Sequence, residues 1–161
     1  MHRTHSELPP TIVAGLAAGL AGTGVMMFVR SFDLRYAPKT VAQPAVDPAL
    51  AIVKAAERST GISRVVPNPL ERATAKALPI GYGTFFGLLY GLLRGRHHSR
   101  SALADGMLLG TTVYALGYLW LPASGLGEPI WKQTHPQVAG ELLRHTVYGV
   151  TTVAAYALMD R

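Results

Sequence analysis

Cysteine is absent from the 161 residues. That excludes disulfides, thiolate metal sites, thioether-linked haem and a lipoprotein anchor. Charge is scarce too: Lys, Arg, Asp and Glu make up 15% of the chain, where typical soluble proteins carry about 25%. Acids are fewer than bases, 9 against 15, which leaves a formal charge of +6. In a soluble chain that excess would suggest nucleic acid. Here the bases lie between apolar runs, where anionic lipid headgroups attract them, so no nucleic-acid partner is expected. No His/Asp/Glu cluster has the three-ligand spacing of a catalytic zinc. Only His145 lies near an apolar run, so a haem held by paired histidines is not expected. No serine has a glycine elbow and a base, and Gly15–Gly24 follows no strand that would make it a dinucleotide fingerprint. The expectation is a non-enzymatic chain with no metal and no cofactor.

What the chain has in plenty is glycine, 17 residues. Gly83, Gly87, Gly91 and Gly95 recur at every fourth position along the apolar run Ile80–Leu93. Residues four apart share one helix face, so this run carries a bare groove, the pattern of a glycine zipper. Each such glycine costs about 0.8–1 kcal/mol relative to alanine in a water-exposed helix. In a bilayer, small residues instead let backbones approach and gain dispersion contacts. Ala14, Ala18 and Gly22, with Gly15 and Gly19 beside them, form a second small-residue face, and Gly106 and Gly110 echo Gly15 and Gly19. All are predicted helix-packing positions.

Four membrane spans are predicted, at about 11–29, 78–94, 102–121 and 136–159, in an all-α membrane protein of one domain. Thr11–Val29 is uncharged, longer than a signal-peptide core and followed by no clear cleavage site. The fourth run, Thr146–Met159, is long enough only if its helix starts at Pro136 and includes Glu141, Arg144 and His145; three spans with a re-entrant end is the alternative. Spans one and three share Gly15/Gly19/Thr23 and Gly106/Gly110/Tyr114. Spans two and four share Tyr82-Gly83 with Tyr90 and Tyr148-Gly149 with Tyr156. These echoes suggest two tandem hairpins in one orientation, a 2+2 repeat.

The segment 30–77 is the one sizeable extramembrane piece. Asp47-Pro48 starts a helix with an apolar face that Gly61 stops, and Asn68-Pro69 starts another over Leu70–Leu78 that can run into span two. Both are expected as short amphipathic helices on the membrane surface or over the bundle. Trp120 and Trp131 flank the loop Pro122–Pro136 as an aromatic belt. The dense bases of loop 95–101 favour cytoplasmic termini, while the larger total in 30–77 favours the reverse.

Glu141 and His145 lie one turn apart with Arg144 between them, a candidate polar or proton site. The alternative is that the three simply pair, with Arg144 reaching the headgroups. Arg94, Arg96, His97, His98 and Arg100 form a cationic patch suited to a lipid phosphate or an acidic partner. Asp105 begins span three close to Arg100, as an interfacial ion pair. Tyr114 and Tyr118 share a face with Gly106 and Gly110, which gives a tyrosine-lined seam or simple packing.

Ala14-Gly15-Leu16-Ala17-Ala18-Gly19, the proline-bearing segment after it and Glu141-Leu142-Leu143-Arg144-His145-Thr146-Val147-Tyr148 resemble the YagU-type family of small bacterial inner-membrane proteins of unknown function. The resemblance implies a multi-pass protein of the bacterial inner membrane and carries over no catalytic residue. The functional expectation is an accessory or assembly subunit packing through its glycine faces against itself or a larger membrane complex. A small transporter or channel for protons or a polar solute is the alternative.

Overall fold

The computed structural model describes residues 10–36, 47–61, 67–94 and 101–159. Gly95, Arg96, His97, His98 and Arg100, named above, lie outside them. The described residues form α1 (Pro10–Tyr36), α2 (Pro48–Thr60), α3 (Asn68–Arg94), α4 (Ala102–Ala123), a 3-10 turn at Ile130–Lys132 and α5 (His135–Met159), with no strand among them. The chain is all-α. Pro10–Phe32 and Ala102–Ala123 are long and apolar enough to cross a membrane. α3 and α5 carry Glu71, Arg72 and Lys76, and Glu141 and Arg144, inside otherwise apolar stretches.

One boundary differs from the sequence expectation, and one junction follows it. α1 continues past Val29 to Tyr36, because Arg30 ends an apolar run without ending a helix. α3 is one helix in which Leu70–Leu78 and span two are continuous. Pro79 lies inside it and has no amide to donate, which removes the bond to the Ala75 carbonyl.

α2 begins where Asp47 accepts a hydrogen bond from the Ala49 amide at 2.9 Å and ends at Gly61, whose φ of 74° suits a residue without a β-carbon. It packs on α3 through Val53, with Lys54 Nζ 4.0 Å from Glu71 Oε2. The buried side chain of Glu57 faces the same seam. Its carboxyl is pushed above the ordinary 4.5 by desolvation, then by the Glu71 carboxylate, against the opposing pull of Lys54.

The four long helices form an antiparallel bundle in which α1 packs on α3 and α5, and α4 packs on α5. Helix backbones touch where glycines meet. A β-carbon on Gly19 would lie 2.9 Å from Thr84 Cα, and one on Gly87 would lie 2.5 Å from Gly19 N and 2.6 Å from the Gly15 carbonyl. The α4–α5 contact brings the matching positions together in the same way. A β-carbon on Gly110 would lie 2.9 Å from Thr146 Cα, and one on Gly149 would lie 2.5 Å from Gly110 N and against the Gly106 carbonyl. Gly15 and Gly106 in turn press on the α-carbons of Leu88 and Val150. The two hairpins are therefore built alike: Gly106 and Gly110 stand where Gly15 and Gly19 stand, and His145, Thr146, Gly149 and Val150 stand where Gly83, Thr84, Gly87 and Leu88 stand.

This register corrects the one suggested by the tyrosines. Matching Tyr82-Gly83 to Tyr148-Gly149 slips α5 by one helical turn, because backbone approach sets the contact and tyrosine spacing does not. In the structural register Phe86 is the counterpart of Tyr148, and Arg94 of Tyr156. The seams between hairpins follow the same correspondence. α1 meets α5 through Ala14, Ala18 and Tyr156, and Gly22 lies against the Tyr148 carbonyl and the Thr152 hydroxyl. α3 and α4 approach less closely, through Phe86 and Val113 packed on Tyr148, and through Arg94 and Asp105.

The bundle is inside-out by the standard of soluble proteins. Its interior holds Ala18, Thr23, Thr152, Val153 and the glycines, with Tyr148 the largest fully buried side chain. Leu20, Phe28, Phe85, Leu108, Leu143 and Leu158 face outward, as do Leu93 (79% exposed) and Leu119 (71%).

Candidate functional site

Each interior hydroxyl is placed by a glycine that leaves room for it. Thr23 Oγ1 donates to the Gly19 carbonyl at 2.8 Å, back along its own helix, and lies against Gly83. Tyr148 Oη donates to the Gly83 carbonyl at 2.6 Å and ties α5 to α3. Gly91 accommodates the Tyr156 ring, which meets Tyr90 edge-on at 5.5 Å. Thus Gly15, Gly19, Gly22, Gly83, Gly87, Gly91, Gly106 and Gly110 all lie at contacts within the chain, and none of these faces is left open to an outside partner. Gly149 joins them. Its packing role is not visible in the sequence, because it lies alone on its face of α5 and only its backbone neighbours Gly106 and Gly110 reveal it. At Gly24, Gly81 and Gly117 a β-carbon would have no neighbour within 4 Å among the described residues.

Asp105 is paired with Arg94; the expected pairing with Arg100 lies outside the described residues. Arg94 Nη2 and Asp105 Oδ2 are 2.6 Å apart across the α3–α4 seam, and both side chains are mostly buried. α4's first turn points Asp105 at the last turn of α3. Asp105 and Glu141 lie toward opposite ends of the bundle, so no paired-carboxylate site forms. Among the described residues there is no metal-binding group of three His, Asp or Glu side chains.

The polar cluster sits between α4 and α5. Arg144 Nη2 is 2.7 Å from Glu141 Oε1, and Arg144 Nε donates to Glu141 Oε2 at 3.4 Å. His145 Nδ1 is 2.8 Å from the Glu141 carbonyl oxygen, which can only accept, so Nδ1 carries the proton and donates. The same nitrogen is 4.0 Å from Glu141 Oε2. One carboxylate thus lies within reach of a guanidinium and an imidazole.

On the α4 side, the Tyr114 ring meets His145 edge-on at 5.5 Å. Its hydroxyl is buried and has no hydrogen-bond partner among the described residues. Tyr118, tilted against Tyr114 at 4.3 Å, donates its own hydroxyl proton to Gln133 Oε1 at 2.7 Å. Gln133 is held in turn by the Glu128 carbonyl at 2.9 Å. The structure therefore brings together Glu141, Arg144 and His145 with Tyr114 and Tyr118, and adds Gln133 from the loop. By the rise of a helix, His145 lies about 15 Å along α5 from its first residue, opposite Gly110, and so well inside the bundle rather than at its mouth.

No family model, no curated protein and no solved structure matches this chain. The resemblance to the YagU-type family rests on its residues alone.

Proposed function

We propose that the chain is a non-catalytic integral membrane protein whose four long helices cross the bilayer as two hairpins of one design. The observation that carries this reading is the inverted bundle: bulky apolar side chains outside, glycine, alanine and hydroxyls inside. In water the outward Leu and Phe surface would be a large aggregation-prone patch. In hydrocarbon it is solvated, and close packing of small residues holds the helices together. α3 and α5 cross with their charges turned to protein or to the interface. α2 lies at the membrane surface on the end opposite the termini. The bacterial inner membrane fits the family resemblance, with termini on the cytoplasmic side.

Within that class, an accessory or assembly role is the primary reading, supported by small size and little extramembrane mass. The glycine faces are engaged inside the chain, so a partner subunit or second copy docks on the outward Leu and Phe faces or on α2, among anionic lipids. Purification in mild detergent tests this. Stoichiometric co-purifying subunits support it, while a lone monomer that conducts contradicts it. A second reading, passage of protons or a polar solute, is favoured by the Tyr114–Glu141–Arg144–His145 cluster. Flux in vesicles that is lost in His145→Ala supports that reading, and the absence of any flux contradicts it.

A further inference from the structure

We propose that the cluster of Glu141, Arg144, His145 and Tyr114 is a proton-binding site, with His145 Nε2 the exchanging atom and the Glu141 carboxylate passing from Arg144 toward His145 when the proton binds. This rests on the intramembrane placement of α5 given above and extends the second reading to a named species, atom and response.

The first support is a control built into the molecule. The α1–α3 hairpin makes the same kind of backbone contact as the α4–α5 hairpin, between glycines and carbonyls at matching positions. In that twin, the positions of Tyr114, Glu141, Arg144 and His145 are held by Thr23, Pro79, Tyr82 and Gly83. The hairpin therefore forms without acid, base or imidazole, and packing does not require the quartet. Carrying two charges and an imidazole inside such a bundle opposes stability, which points to a role other than holding the fold.

The second support is the geometry of the proton. His145 Nδ1 is committed to the Glu141 carbonyl at 2.8 Å, so a proton enters and leaves the ring at Nε2. Binding forms an N–H bond there, and an O–H bond of hydronium breaks. The cluster then changes from net zero to net positive. One carboxylate must serve the guanidinium at 2.7 Å and the imidazolium, whose Nδ1 lies 4.0 Å from Oε2. The attraction of the new charge draws the carboxylate away from Arg144.

The groups that act on His145 are Glu141 and Arg144 of α5, with Tyr114 and Tyr118 across the seam on α4. The third support is the Tyr114 hydroxyl, which belongs to a residue only 8% exposed and is unsatisfied among the described residues. The ring that carries it meets the imidazole edge-on at 5.5 Å and lies against Tyr118, which places a buried polar group in the cluster.

The test is a titration of the full chain in lipid nanodiscs with 15N-labelled histidine, the His145 signal being identified by its loss in His145→Asn. His135, at the start of α5, serves as the internal reference. His145 is expected to titrate, with a midpoint lowered by about one unit or more in Glu141→Gln and raised in Arg144→Gln, the scale of an opposite or like charge within 4–6 Å. A His145 signal that does not titrate, or a midpoint unmoved in both variants, overturns the proposal. Should Glu141→Gln fail to fold, Arg144→Gln decides: a raised midpoint supports the site and an unmoved one overturns it. Proton flux in vesicles separates this inference from the transport reading. Coupled titration without flux keeps the site and sinks the path.

Discussion

At the scale of single residues, the strongest constraint is the missing β-carbon. Gly87 and Gly149 each face backbone rather than the flexible end of a side chain, so no rotamer change makes room. Gly87→Leu and Gly149→Leu are each expected to lower stability by more than the ~1–3 kcal/mol usual for overpacking, read as loss of the folded monomer in detergent. Leu93→Ala, on the outward face, should stay within about 0.5 kcal/mol of the parent. Gly117→Ala, which adds a methyl in open space, should be neutral or slightly stabilising. Tyr148→Phe keeps the ring but removes the bond to the Gly83 carbonyl. It is expected to lower stability by roughly 0.5–1.5 kcal/mol, measured by thermal unfolding of the purified protein.

At the scale of elements, α2 is the separable piece, since it packs on α3 and its seam holds the Glu57 carboxyl. Desolvation, then the Glu71 carboxylate, raise that carboxyl against the pull of Lys54. A carboxyl raised in the folded state binds more protons folded than unfolded. Its contribution to holding α2 on α3 is therefore complete below 4.5 and is lost as pH rises through the raised value. The protection of α2 amides, corrected for the intrinsic rise of exchange with pH, is expected to fall as pH rises above the ordinary 4.5, and Glu57→Gln should flatten that fall. An unchanged profile in the variant would contradict the assignment.

The elements also show what the sequence conveys and what it does not. The caps of α2 are legible because Asp47-Pro48 and Gly61 act within one turn of their own chain. The ladder Gly83, Gly87 and Gly91 is legible because residues four apart share a face in any helix. The register between hairpins is not, because the tyrosines offer a match one turn away and nothing local penalises it. For the same reason the sequence does not reveal Arg94 as a partner of Asp105, which only the alignment of α3 on α4 shows. Glu141, Arg144 and His145 are visible as a triplet on one helix. Their setting against Tyr114 and Tyr118, and their depth in the bundle, require the second helix.

At the scale of the whole molecule, two hairpins of one design are joined by seams of unequal closeness. Gly22 and Ala14 let α5 lie against α1, while Val113 and Asp105 at the matching positions hold α3 away from α4. The chain is free of cysteine, so paired cysteines can test the correspondence without background. Ala14→Cys with Tyr156→Cys, and Asp105→Cys with Arg94→Cys, occupy equivalent sites and are both expected to be bridged by a short bifunctional reagent in membranes. Cross-linking of only one pair would contradict the paired design.

The claim beneath all of this is that hydrocarbon surrounds the Leu and Phe exterior. The most direct measurement is to wash isolated membranes with alkaline carbonate, then attempt to extract the chain with and without detergent. It should remain in the membrane pellet through the wash and leave only with detergent, as a folded helical particle. Release by carbonate alone, as a monodisperse soluble protein, would contradict it.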